Sequence, residues 1–351
     1  MNFLRQSFEP GDQIGLLQES LDFWDLHQKC AGLDNLLDKI QEINSTSCPE
    51  ERIESYKKRL QKIVRREYNR QRQRDDKLKV YVDGFWPGFS FTQSALSYLF
   101  KMATGRDTIE VHHPKDADIA LYSIFTLKRP MQDTNKLVRY LFLGERVSPS
   151  FHQFDYSLTM DIPEYSGKNI YTPLWLLHLL ESNKVSNFKI NSLQLGHQPQ
   201  TKRMHKAVFV GNNDHPLRRA LVSKLTQIGI EVDCFGSSFR PISDKLELYR
   251  KYVFSICPEN CWNPGYTTEK IVDSFFADTI PIYWGYLDDN IFNPDRAIIL
   301  NHVDSSLDEL SKIAQGLPSV VNAKSSWLNQ NAALSLVNTI IQKLSRTFPN
   351  Q

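Results

Sequence analysis

The sequence predicts an α/β protein of two Rossmann-like domains facing a cleft, with an extra N-terminal helical segment. Three observations carry this. From Lys77 onward, short apolar runs alternate with amphipathic stretches, the pattern of parallel strands joined by helical crossovers. The alternation comes in two series, separated by the polar, irregular "ESNKVSNFKINSLQLGHQPQTK". Before Lys77 there is helical periodicity and no convincing strand. The length of 351 residues suits about two domains. The expected divisions are a helical extension over 1–77, a first domain over 78–190, a linker over 191–202 and a second domain over 203–351. The last helix is a candidate to cross back onto the first domain.

In the extension, Leu21, Trp24, Leu33, Leu36, Leu37 and Ile40 fall at helical spacing, with a break near Gly32. A second helix opens at Pro49 with two acids after it, a good helix start. Between Lys57 and Arg74 it carries nine Lys or Arg and one acid. A basic amphipathic helix over 50–74 is a candidate for peripheral contact with an anionic membrane surface; the plainer and preferred reading is a solvated helix packing its apolar stripe on its own protein. The first series reads as strand "KVYVDGFW", helix "TQSALSYLFKMA", strands "TIEVHH" and "ADIALYSIF", and strand "KLVRYLFLGE". The second reads as strand "KAVFVG", helix "PLRRALVSKLTQIG", strand "EVDCFG", helix "DKLELYRKY" and strand "VFSICPEN". A helix over 267–277, strand "TIPIYWG", a short strand "AIILN" and the amphipathic "SSWLNQNAALSLVNTIIQKLS" complete it.

A net charge of +2 gives no global reason to expect nucleic acid. Five cysteines without zinc-like pairing read as reduced thiols, and with no signal-like or membrane-spanning run the expected location is cytoplasmic. Asn44-Ser45-Thr46 then matches the glycosylation sequon by chance. There is no Walker sequence, GxGxxG, HExxH or GxSxG, and His112-His113 reads as a strand end. Positive signals sit in the second series. Arg218, Arg219 and Lys270 stand in first helical turns, where the helix dipole disfavours cations. Two cations at helix starts beyond strand carboxyl ends suit a diphosphate; side chains simply pointing to water suit the pattern too. Glu269 is a candidate acceptor for two ribose hydroxyls or a dipole-complementing surface acid. On residues alone the reading reaches a nucleotide or nucleotide-sugar cleft.

Residues 249–285, "YRKYVFSICPENCWNPGYTTEKIVDSFFADTIPIYWG", resemble the α-1,3-fucosyltransferase family. The likeness rests on Glu259-Asn260, on Gly265, Tyr266, Thr268, Glu269 and Lys270, and on Ile280 to Gly285. "VDGFWPGF", "FLGERVSPSFHQFDYSLTMD" and "NNDHPLRRAL" add weaker support. Pro258 and Arg146 depart from the family pattern. The resemblance implies a GT-B fold, a GDP-fucose donor and inversion at the fucose carbon. The acceptor would be an N-acetylglucosamine-containing glycan, linked α-1,3 or α-1,4 into a Lewis-type product. By position, Lys270 and Arg218 would hold the diphosphate with Asn260 and Tyr266 beside it, and Glu269 would bind the ribose. Glu145, in "LGERVSP", would be the general base, or else a structural acid paired with Arg146 or Arg139. No obligatory metal is expected, with Mn or Mg as candidate stimulators. Phe85, Trp86, Phe89 and Phe91 are candidate acceptor-stacking rings or a hydrophobic cluster under their loop. A transferase with another nucleotide-sugar or acceptor, and a non-catalytic nucleotide- or glycan-binding protein, remain the alternatives.

Overall fold

The apolar runs of the first series become the strands of a parallel sheet: β1 (Leu78–Asp83), β2 (Thr108–Val111), β3 (Ile119–Ser123), β4 (Val138–Leu143), β5 (Tyr156–Thr159) and β6 (Asn169–Tyr171). The computed structural model describes residues 77–128, 134, 137–182, 189–190, 203–211, 216–237, 239–301, 311 and 326–348. The expected helical extension up to residue 76, its basic helix 50–74 and the linker 191–202 lie outside the described residues.

The first sheet runs β2-β1-β3-β4-β5-β6 with every pairing parallel. Alternate residues go to opposite faces. Val80, Leu121 and Phe142 join one core, while Tyr81, Ala120, Tyr122 and Leu141 join another. Both faces are therefore covered, and β3 is buried at every residue, as a parallel strand requires. Helix α1 (Ala95–Thr104) covers the first face. Ser94 caps its start by accepting from the Ser97 N–H, and Gly105 closes it at φ 65°.

Two strands and a helix of this half escape the sequence reading. β5 and β6 are too short to show a period. Helix α2 (Leu174–Glu181) buries five of its eight residues, so it has no polar face to reveal helical spacing.

The second sheet contains β7 (Met204–Val210), β8 (Val232–Phe235), β9 (Tyr252–Ile256), β10 (Ile280–Tyr283) and β11 (Ile298–Ile299). Its order is β11-β10-β9-β7-β8, again all parallel. Helices α3 (Pro216–Gln227), α4 (Lys245–Tyr249) and α5 (Glu269–Phe276) join its strands. The final helix, α6 (Gln330–Arg346), packs on α1 and β6 of the first half. Just beyond it, Tyr140 and Thr347 share a 2.5 Å hydroxyl hydrogen bond and Phe348 stacks on Tyr140.

Strand order reverses between β1 and β3 and between β7 and β9. In open parallel sheets ligands bind beyond the strand carboxyl ends at such switch points. No helix among the described residues is long and apolar enough to cross a membrane.

Candidate active site

A cavity of about 380 Å³ opens at the β7/β9 switch point. Phe209, Val210 and Gly211 line it from the end of β7, and Ile256, Cys257 and Pro258 from the end of β9. Across from them, Gly144 and Glu145 enter from the turn after β4, and Leu174 from the start of α2. Glu145, Arg218, Asn260, Tyr266, Glu269 and Lys270 all line this one space. Six residues spread over 125 positions of sequence therefore meet, five from one sheet and one from the other.

Glu145 bridges the two sides. Its Oε2 accepts from the Tyr266 hydroxyl at 3.0 Å and from Asn260 Nδ2 at 3.4 Å. Arg218 in turn donates to Asn260 Oδ1. Burial and the nearby Glu145 and Glu259 carboxylates push the Tyr266 phenol far above its usual range. It therefore stays protonated and serves as a fixed donor to Glu145. Arg219, which shares the first turn of α3, is exposed and does not line the cavity.

Lys270 shows why a cation tolerates the start of α5. Its ammonium donates to Glu259 Oε2 at 2.7 Å and to Thr268 Oγ1 at 3.2 Å. The anion that offsets the helix dipole is thus an internal carboxylate, a partner the sequence reading does not supply. The Glu259 side chain is fully buried, and Oε1 also accepts from the Thr268 N–H at 2.7 Å. Burial pushes the Glu259 carboxyl above the usual range, and Lys270 and Thr268 pull it part of the way back. With its other hydrogens free of Glu259, Lys270 still lines the cavity.

Two glycines permit this geometry. Gly285 faces the Glu259 side chain so closely that a Cβ would lie 2.6 Å from Glu259 Cγ. Gly265 has φ 88°, and a Cβ there would meet the Met160 carbonyl oxygen at 2.4 Å. The loop from Gly265 to Thr268 can press against the ends of β5 and β6 only without a side chain at its first position.

Several residues of this region carry no role in the sequence reading. Lys245 opens α4 and also lines the cavity. Its ammonium donates to Asp273 Oδ2 at 2.8 Å, while His178 Nε2 lies 2.8 Å from Asp273 Oδ1. Burial opposes charge on the His178 ring, but the hydrogen bond and charge of Asp273 outweigh it and the ring titrates above its ordinary range. Lys245 bears the same mark as Arg218 and Lys270, a cation in a first helical turn; His178 and Asp273 leave no trace in sequence spacing.

The four aromatics after β1 separate. Phe91 is fully buried core, so its candidacy as an acceptor ring is corrected. Phe85 stacks on Phe89 at 4.0 Å and on Phe142 at 5.9 Å, as a hydrophobic cluster under the loop. Trp86 is the exposed member, at 47%.

Residues 80–178 match the family model of the alpha-(1,3)-fucosyltransferase FucT N-terminal domain, and residues 199–330 that of the glycosyltransferase family 10 (fucosyltransferase) C-terminal region. The chain belongs to glycosyltransferase family 10. Among curated relatives, alpha-(1,3)-fucosyltransferase FucT of Helicobacter pylori is 28% identical over 293 residues, 72% of this chain and 60% of the relative. The chain thus spans about three fifths of that relative's length. A crystal structure of an alpha1,3-fucosyltransferase superposes with TM-score 0.57 at 22% identity, covering 77% of this chain and 90% of the other. A crystal structure of alpha1,3-fucosyltransferase with GDP-fucose gives 0.56 at 24%, covering 76% of this chain and 90% of the other. These likenesses bear on the fold, the GT-B arrangement of two α/β halves about a shared cavity. Both halves of this family 10 chain contribute to the cavity, and each family model covers one side of it.

Proposed function

We propose that this family 10 chain transfers L-fucose from GDP-fucose to a hydroxyl of an N-acetylglucosamine-containing glycan, with inversion at the fucose carbon. One observation carries the reading: a carboxylate from one half faces a set of cations and hydroxyl acceptors from the other across a single cavity. Arg218 and Lys270 bind the diphosphate, with Asn260 and Tyr266 beside it, and Glu269 accepts from the ribose hydroxyls. As the sugar carbon turns oxocarbenium-like, negative charge grows on the leaving diphosphate, where fixed cations lower the barrier. These two cations supply charge that a metal supplies in other transferases, so turnover persists under chelation, with Mn or Mg acting at most as stimulators. Glu145, on the opposite side, takes the proton of the attacking hydroxyl. An attack from the face opposite the diphosphate inverts the carbon. Trp86 offers an exposed ring to the acceptor.

The test is incubation with GDP-fucose and N-acetyllactosamine, against a panel of other nucleotide-sugars, with mass spectrometry of the product. A fucosylated product from GDP-fucose alone is expected. Donor binding without product would replace the reading with a binding protein, and product from another donor would replace the donor. Arg218→Ala is expected to weaken GDP binding by about 1.5–3 kcal/mol, the worth of one charged hydrogen bond. Calorimetric affinity equal to that of the unaltered chain would remove Arg218 from the diphosphate.

A further inference from the structure

Resting on the nucleotide reading above, we propose that Lys245 is a third cationic contact of the donor, holding the phosphate nearest the nucleoside. Asp273 accepts from the Lys245 ammonium on the other side.

Within the cavity lining, Arg218, Asn260, Tyr266 and Glu145 form a hydrogen-bonded chain, and in this assignment the departing sugar and the outer phosphate belong beside it. Glu269, the ribose acceptor, lines the same cavity from α5. Asp273 lies four residues after Glu269, one turn along the same face of α5. Lys245 reaches Asp273 from α4, so its ammonium is placed on the Glu269 side. An ammonium has three donors, and Asp273 takes one, leaving hydrogens for an anion in the cavity that Lys245 lines. The ring of Tyr249 lies beneath the ammonium, 5.4 Å from centroid to Nζ. Burial opposes the charge, yet Tyr249, Asp273 and Glu269 outweigh it and keep the ammonium protonated above its ordinary range. A half-buried lysine held by one carboxylate on one side can offer its remaining hydrogens to an anion arriving on the other.

The geometry divides the two phosphates between cations, and nucleotides of different length read that division. Binding of guanosine, GMP and GDP is measured calorimetrically for the full chain, Lys245→Met, Lys245→Arg and Arg218→Ala. Lys245→Met is expected to lower GMP and GDP affinity by the same factor, about 10- to 100-fold for one charged hydrogen bond, and to leave guanosine unchanged. Lys245→Arg restores part of both. Arg218→Ala lowers GDP affinity and spares GMP. Equal affinity of Lys245→Met and the unaltered chain for GMP would overturn the assignment. So would a loss confined to GDP, which places Lys245 at the outer phosphate, or an equal loss for all three, which marks a folding defect. If the unaltered chain binds none of the three nucleotides, the nucleotide reading itself falls, and this inference with it.

Discussion

Glu145→Gln is expected to lower kcat by about 10²–10⁴-fold while GDP affinity and thermal stability stay as they are. Glutamine has the size of glutamate and a side-chain oxygen, so it can still accept from the Tyr266 hydroxyl and from Asn260. What it lacks is the basicity to take a proton from an acceptor hydroxyl. The sugar hydroxyl is a poor nucleophile, and its proton must leave as the new bond forms. The two donors fix the carboxylate in the cavity, and Tyr266, kept protonated by its surroundings, does not itself compete for that proton. A single-turnover assay with saturating donor separates the chemical step from binding. A Gln variant that turns over at the rate of the parent would end the assignment; one that is inactive and also melts earlier would make Glu145 a structural bridge between the halves.

The sheets and most helices are legible because parallel strands buried on both faces write continuous apolar runs, as β3 and β9 do. Helix α5 is legible for another reason: Glu269 complements its N-terminus, and Ile271, Val272 and Phe275 give it a buried stripe. Helix α2 is buried between other elements, so the contrast that marks a helix is missing. The candidate site is legible where local electrostatics look wrong. Arg218 and Lys270 announce themselves as cations in first helical turns. The same criterion applied to Lys245 would have added it. Glu259, Asp273 and His178 are invisible to such reasoning because their partners lie 11, 28 and 95 residues away and burial decides their roles. Phe91 shows the opposite failure: four aromatics close in sequence look alike, and only burial in the folded chain separates the core ring from the exposed Trp86.

Lys270→Ala is expected to do two things at once, and they can be separated. It removes a cation from the cavity, weakening GDP binding. It also leaves the fully buried Glu259 carboxylate without its counter-ion, and breaking a buried pair costs about 3–5 kcal/mol of stability. Because Lys270 is itself about one fifth exposed, water reaches part of the gap and the lower half of that range is expected. The loss depends on pH in a definite sense. Burial already holds the Glu259 carboxyl above the usual range, and Lys270 is the largest influence pulling it down. Without Lys270 the folded-state value rises further, so the native protein prefers the neutral acid. The variant's deficit is then small below the parent's own raised folded value, grows as pH rises from there to the variant's still higher folded value, and levels off above that. Denaturant titrations of both proteins across that range give the difference directly; a deficit independent of pH would show that Glu259 is not the group left stranded. The double variant Lys270→Met with Glu259→Gln replaces the ion pair by neutral groups of similar volume and is expected to recover stability at neutral pH. It should not recover GDP affinity. If it does, the lysine serves only to neutralise Glu259, and the diphosphate must be held by the other cations of the cavity, Arg218 and Lys245.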